Sequence, residues 1–427
     1  MKIILLTPGT GNFHCGSCLR DHLLVKALRQ LGHDATMVPL YLPLVLDGPI
    51  DPADDQPLHF GGMNVYLQQK SVIFRHTPRW IDRLLNAKWL LGAAAARAGS
   101  TRSAQVGRMT ASMLRGEDGR QRKELDKLVD WLLEHGKPQV VCLSNGMLVG
   151  MARQIKDRLG SRVLCLLAGE DSFLDGLPSP HDRQAWEVLR QRAADVDGFV
   201  PVSRYYAEVM MQRLGLDERR VHVVYGGIDL AGYEPAKKAP PVPTIGYLAR
   251  MCPVKGLHLL VDAFVRLKSS DRFWNAKLRV IGAVTRADEP YVAQQRQKLQ
   301  AAGVACDAEF FVNVDLQQKQ DLLKSLSVLS VPATYGEAFG LYLIEALACG
   351  VPFVQPRHGA FGELLEQTGG GMLIDPDDPL ALADTLGSLL NDAERAAALG
   401  RSGRAAVVAK FTARRMAENF LRVCGSD

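Results

Sequence analysis

The chain has 427 residues, 47% hydrophobic and 23% charged, an ordinary globular composition with length for two domains and two cores. A formal net charge of +5 is too mild to argue for nucleic acid, and no run of about 18 uncharged apolar residues offers a membrane-spanning helix. Eight cysteines are scattered, several inside apolar runs such as VVCLS and LCLLA, which fits a reducing cytoplasm and excludes a disulfide framework.

The N-terminus, MKIILLT, reads as a buried first strand: no small-residue cleavage site follows its apolar run. From there, short β-rich runs alternate with stretches of helical period, the signature of parallel βαβ units. Strands are expected at KIILLT, DATMVPLY, QVVCL, RVLCLLA, GFVPV and VHVVY, and helices over Cys18–Leu31, Arg122–His135 and Arg204–Leu214. Residues 75–127 interrupt this rhythm; they are helical and basic, carry Trp80 and Trp89, and read as an insertion. EPAKKAPPVP, residues 234–243, is Pro-rich and without period, so the interdomain linker is expected there. A second series follows in TIGYLA, KLRVIGA, EFFVN, VLSVP and VPFVQ, and the final helix covers roughly Ala413–Val423. The expected division is a first domain over 1–235, a second over 243–410, and a C-terminal helix within 411–427, with a return of that helix to the first domain left open.

Chemistry concentrates in PATYGEAFGLYLIEALACGVPFV, residues 332–354, a turn between two strands with a helix expected over Leu341–Ala348. Open α/β sheets bind ligands at the carboxyl ends of their strands. Gly336 and Gly340 allow close backbone approach, and the helix N-terminus offers N–H groups to anionic oxygens. Glu337 and Glu345 are eight residues apart, roughly 10–12 Å along a helix axis, so that one can meet a sugar and the other a ribose with a diphosphate between. In TIGYLARMCPVKGLHLLVDAF, residues 244–264, Arg250 and Lys255 sit in a strand-to-helix loop, a cationic site for a diphosphate and its developing charge.

Glu337-x7-Glu345 with its intervening Gly and Phe, the following ALACGVPFV, and Arg250-x4-Lys255 resemble the motifs of retaining GT-B glycosyltransferases, family 4. The resemblance implies an α/β fold of two Rossmann-like parallel-sheet domains facing a central cleft. It implies a retaining, metal-independent transferase that moves a sugar from a UDP- or GDP-linked donor, used as substrate and not as cofactor, to a hydroxyl acceptor. Glu337, Arg250 and Lys255 would be catalytic, by front-face displacement in which the leaving phosphate helps deprotonate the acceptor. Gly9, Gly11, Ala338, Phe339, Gly340, Leu341 and Glu345 would join them in binding the donor, and Gly359 and Glu363 would line the sugar pocket. Gly226 stands where the family usually has Asn, and Ala168 where it commonly has His; His14, Glu170 and Asp171 are the candidates on the acceptor side. A nucleotide-sugar epimerase of the same architecture and a nucleotide-sugar binder without activity are the competing readings.

Four other signals carry less. Gly9 and Gly11 begin a Gly-x-Gly-x-x-Gly fingerprint, but His14 takes the third position, which argues against a dehydrogenase. His14, Cys15, Cys18 and His22 have zinc-ligand chemistry, yet no second CxxC exists, so packing or substrate lining is expected and no metal. Asp375-Pro-Asp377 reads as turn and capping chemistry. Residues 75–99 interleave aromatic and basic side chains; they are read as a packing helix of a cytoplasmic protein with a soluble acceptor. Peripheral membrane contact and a lipid-linked acceptor are the alternative.

Overall fold

The computed structural model describes residues 1–9, 16–41, 60, 65, 67–69, 103–238 and 240–425. They form two compact units: Met1–Tyr225 together with Met416–Asp427, and Gly226–Arg415. The boundary near the end of the chain falls inside one helix, Ala413–Gly425. Gly11, His14, Cys15 and the whole 75–99 segment, with Trp80 and Trp89, lie outside the described residues.

In the first unit the described strands are β1 (Lys2–Thr7), β2 (Asp34–Pro39), β3 (Val140–Leu143), β4 (Arg162–Leu167) and β5 (Gly198–Pro201). They form a five-stranded sheet in the order β2-β1-β3-β4-β5, with every pairing parallel. All residues of β3 and β5 are buried, as strands with both faces covered require. The strand order reverses between β1 and β3, so the crevice beyond their carboxyl ends is the natural ligand position of this unit.

VHVVY is not a strand. Val221 makes an isolated bridge to Phe199, and although His222 N–H and Val224 N–H donate to the Phe199 and Pro201 carbonyls, Pro201 has no N–H to return. A ladder that can be fed from one side alone stops there.

The second unit carries β6 (Thr244–Leu248), β7 (Lys277–Gly282), β8 (Ala308–Val312), β9 (Val328–Leu329), β10 (Phe353–Pro356) and β11 (Gly371–Ile374). Their order is β11-β10-β9-β6-β7-β8, again all parallel. The reversal lies between β6 and β9. Its core packs Tyr247, Val280 and Val328 against Leu260, Phe264 and Leu386 from the flanking helices. Strand β9 is shorter than the apolar run VLSVP suggests, because the Gln355 side chain takes the Val331 N–H and Pro332 has none. Among the described residues, no helix is long and apolar enough to cross a membrane.

Candidate functional site

The reversal in the second unit brings two loops together. Arg250 and Lys255 follow β6, while Tyr335 and Glu337 follow β9. Their approach depends on Gly256, which sits at φ +70°; a Cβ there would lie 1.7 Å from the Pro332 carbonyl oxygen. Only glycine tolerates both conditions. Thr334 N–H then donates to the Val254 carbonyl at 3.0 Å and closes the contact. Gly359, at φ +60°, is pressed the same way against the backbone of Glu337, whose carbonyl accepts the Ala360 N–H at 2.9 Å.

Lys255 and Glu337 meet directly, Nζ to Oε2 at 2.5 Å. Lys255 also donates to the Tyr335 hydroxyl at 2.5 Å, and its ammonium stands 4.9 Å from that ring's centroid. Tyr335 donates to Glu337 Oε1 at 3.1 Å, and Tyr342 donates to Oε2 at 3.2 Å. Burial alone would lower Lys255, but Glu337 and then Tyr335 outweigh it and hold the ammonium above its ordinary range. Burial, followed by the Glu337 charge, raises both tyrosines, so their hydroxyls stay protonated donors. The catalytic carboxylate expected from sequence is therefore gripped by one cation and two phenols.

Arg250 is held apart from that group. Its Nε and Nη2 donate to the two oxygens of Asp288 at 2.9 and 3.0 Å. Asp288 is anchored in turn by the N–H and hydroxyl of Thr285, at 3.0 and 2.6 Å.

Glu345 lies in the helix Leu341–Ala348, 5% exposed, and its Oε1 accepts from the Tyr233 hydroxyl at 2.6 Å and from Lys319 Nζ at 2.8 Å. Gln320, next to Lys319, donates to the Ala231 carbonyl at 2.8 Å and so ties the Tyr233 segment to the helix Leu316–Lys324. Gly340 opens the Glu345 helix at φ +94°. The side chains of Ala338 and Phe339 are buried, Phe339 against Phe411 with centroids 6.1 Å apart. From that stretch, main-chain groups and not side chains are what a ligand can meet. The cap of the helix Pro379–Asn391 is Asp378 and not Asp375 or Asp377; its carboxylate accepts from Leu380 and Ala381 at 2.9 Å each.

The first unit's reversal is built differently. Gly9 follows β1 at φ +86°. In the helix Gly16–Gln30, Asp21 is fully buried and accepts from Arg20 Nε and Nη2 at 2.9 and 2.6 Å, from Thr7 at 3.4 Å, and from Ser144 by a short bond. Glu170 is 3% exposed and takes the Gly146 N–H, the Ala168 N–H and the Tyr206 hydroxyl at 3.0, 2.9 and 2.8 Å. Both oxygens are thus engaged in joining the ends of β3 and β4. The Tyr206 hydroxyl also lies 3.0 Å from Asp171 Oδ1, and its single proton serves one carboxylate at a time.

Asp288, Thr285, Tyr233 and Lys319 were not singled out from the sequence. Tyr335 and Tyr342 flank Glu337 closely enough to have been noticed, by the rule that a buried carboxylate needs donors.

Two parallel sheets, each reversing at a charged crevice, define an α/β architecture of the doubly wound type. Comparison with known proteins narrows the class: residues 234–406 match the family described as Glycosyl transferases group 1, and residues 113–231 match Glycosyltransferase Family 4. The chain belongs to the GT-B glycosyltransferases. Among its relatives, a D-inositol 3-phosphate glycosyltransferase from Xylanimonas cellulosilytica is 31% identical over 54% of this chain and 57% of its own length. The lipopolysaccharide core biosynthesis mannosyltransferase LpsB of Rhizobium meliloti is 32% identical over 44% of this chain and 56% of its own. The chain thus spans little more than half the length of these curated relatives. In fold it is similar to Anabaena HepE, solved with UDP and glucose, at a TM-score of 0.70 and 16% identity over 100% of both chains. WaaG, a glycosyltransferase involved in lipopolysaccharide biosynthesis, gives a TM-score of 0.67 at 13% identity over 99% of this chain and 100% of its own.

Proposed function

We propose that the chain transfers a sugar from a nucleotide-sugar donor to a hydroxyl acceptor with retention of anomeric configuration and without a metal ion. The observation that carries this reading is the meeting, at the β6/β9 reversal, of the loop bearing Arg250 and Lys255 with the segment bearing Glu337, where Lys255 Nζ sits on Glu337 Oε2 and the helix of Glu345 begins. A diphosphate needs cations, and a sugar and a ribose need carboxylates to accept their hydroxyls. Glu345 suits the ribose, since Tyr233 and Lys319 occupy Oε1 and, among the described residues, nothing donates to Oε2. Lys255 and Arg250 then meet the charge that grows on the leaving diphosphate, while the short reach between donor and acceptor is set by positioning. UDP is the first nucleotide to consider, because the HepE fold neighbour binds it. The names of the relatives support a hydroxyl-bearing acceptor, and we propose a soluble one.

A thermal-shift panel of UDP, GDP, ADP and their sugar conjugates tests the donor half. A ligand at 100 times its dissociation constant adds about 2.7 kcal/mol to stability. A clear rise with one nucleotide family supports the reading; no rise with any of them at millimolar concentration refutes it.

A further inference from the structure

A guanidinium presents two hydrogen-bonding edges, the Nε–Nη2 side and the Nη1–Nη2 end. In Arg250 the side edge is fully used, since Asp288 takes Nε and Nη2 at 2.9 and 3.0 Å. Among the described residues no protein group accepts from Nη1, and the side chain is 52% exposed while that of Asp288 is 6% exposed. The carboxylate is not loose. Its Oδ2 also accepts the Thr285 N–H at 3.0 Å and the Thr285 hydroxyl at 2.6 Å, and the Asp288 carbonyl lies at the start of the helix Glu289–Ala301, accepting the Val292 N–H at 3.0 Å. A well-anchored acid therefore grips a half-exposed cation by one side and leaves the other end without a protein acceptor among the described residues.

We propose that Asp288, seated by Thr285, is a positioning residue for Arg250, fixing the guanidinium so that its Nη1 end is aimed at the donor diphosphate. This rests on the donor-site reading given above. The alternative role for such an acid is competition, in which Asp288 holds Arg250 back and the diphosphate must displace it. Two features favour positioning. The bonded edge is the side and not the end, so a phosphate oxygen can dock without breaking either bond. Asp288 is also kept charged: burial works against ionisation, but the bonds from Arg250 and Thr285 override it and hold the carboxyl below its usual range. Arg250 itself is raised, chiefly by the Asp288 bond, and stays a full cation. Holding a long side chain in place removes rotamer entropy before binding, so less is lost when the ligand arrives.

The experiment is a double-mutant cycle on the full chain, with UDP and, in parallel, GDP titrated by calorimetry into wild type, Arg250→Ala, Asp288→Asn and the double variant. Coupled neighbours differ from additivity by about 2.5- to 150-fold. Asp288→Asn should weaken the binding nucleotide about 3- to 10-fold when Arg250 is present and less than about 2-fold when it is absent. Thr285→Val, which removes one bond to the carboxylate and keeps the backbone, should give a smaller loss in the same direction and serves if Asp288→Asn folds poorly. Equal losses in both backgrounds would make Asp288 merely structural and overturn the proposal. Tighter binding by Asp288→Asn would make it a competitor and overturn it as well. Wild type that binds neither UDP nor GDP, or an Arg250→Ala variant that binds like wild type, would instead overturn the donor-site reading beneath it.

Discussion

Each unit gathers charged side chains where its strand order reverses, yet the two gatherings differ in what they leave reachable. In the first, Arg20, Asp21 and Ser144 close on one another beneath the surface, and Glu170 spends both oxygens on backbone N–H groups and Tyr206. In the second, Arg250 is half exposed, and Glu337 and Lys255 retain 13% and 19% side-chain exposure. The first cluster has the character of a rivet and the second of a socket. Charge alone, counted along the sequence, does not separate these roles; accessibility does.

The largest effect should come from breaking the rivet. Arg20→Met removes the counter-charge of a carboxylate with no exposure and should lower stability by about 3–5 kcal/mol at pH 8 in chemical denaturation, with UDP affinity unchanged in the folded protein. Burial already pushes Asp21 up against the pull of Arg20 and Ser144. A carboxyl whose folded value is raised destabilises the fold as pH rises through that value, so the variant should recover part of its loss as pH is lowered from 8 toward 5. A loss that is flat across that range would show that Asp21 is not the group left unpaired.

Next come the carboxylates of the socket. Glu345→Ala should cost nucleotide affinity about 1.5–3 kcal/mol, whereas Glu337→Ala should leave free-nucleotide affinity nearly intact and slow donor hydrolysis or transfer. Equal losses of nucleotide affinity would erase this division of labour. The smallest effect is a displaced titration. Lys255 is raised because Glu337 and Tyr335 outweigh burial, so its charge persists above its ordinary value and is lost only at still higher pH. Glu337→Gln removes the largest raising influence and lets burial act. Across pH 7 to 10, where the wild-type ammonium stays charged, the variant should lose UDP affinity toward the alkaline end relative to wild type, measured by calorimetry. Parallel pH profiles for the two proteins would mean that Lys255 is not what the nucleotide senses.

Much of this architecture can be read in the chain before any coordinates. Apolar runs such as KIILLT and RVLCLLA stand out because buried parallel strands need both faces apolar. The helix Leu341–Ala348 and the meeting of the Arg250–Lys255 loop with the Glu337 segment at one sheet reversal follow from the βαβ rhythm and the rule of carboxyl ends. What the rhythm hides is partnership across long separations. Asp288 lies 38 residues from Arg250, Lys319 lies 26 from Glu345, and Tyr233 lies 112 from it. No local period marks such pairs. The expected pairing was of cations with a diphosphate, and the structure shows each cation already holding an acid of the chain. VHVVY misleads for a related reason, since whether an apolar run becomes a strand depends on what its neighbour can donate.

Gly256 has a consequence for the thermodynamics of the socket. Because its Cα rests on the Pro332 carbonyl, the loop bearing Lys255 and the segment bearing Glu337 form one piece, with no side chain between them to act as a spacer. The ordering of both segments is completed during folding, when the whole core contributes to it. A nucleotide therefore meets a surface already in shape, and its binding should show a small loss of entropy for its contact area. Any L-residue at this position would force the two segments apart and turn one body into two loops, each of which the ligand would then have to order.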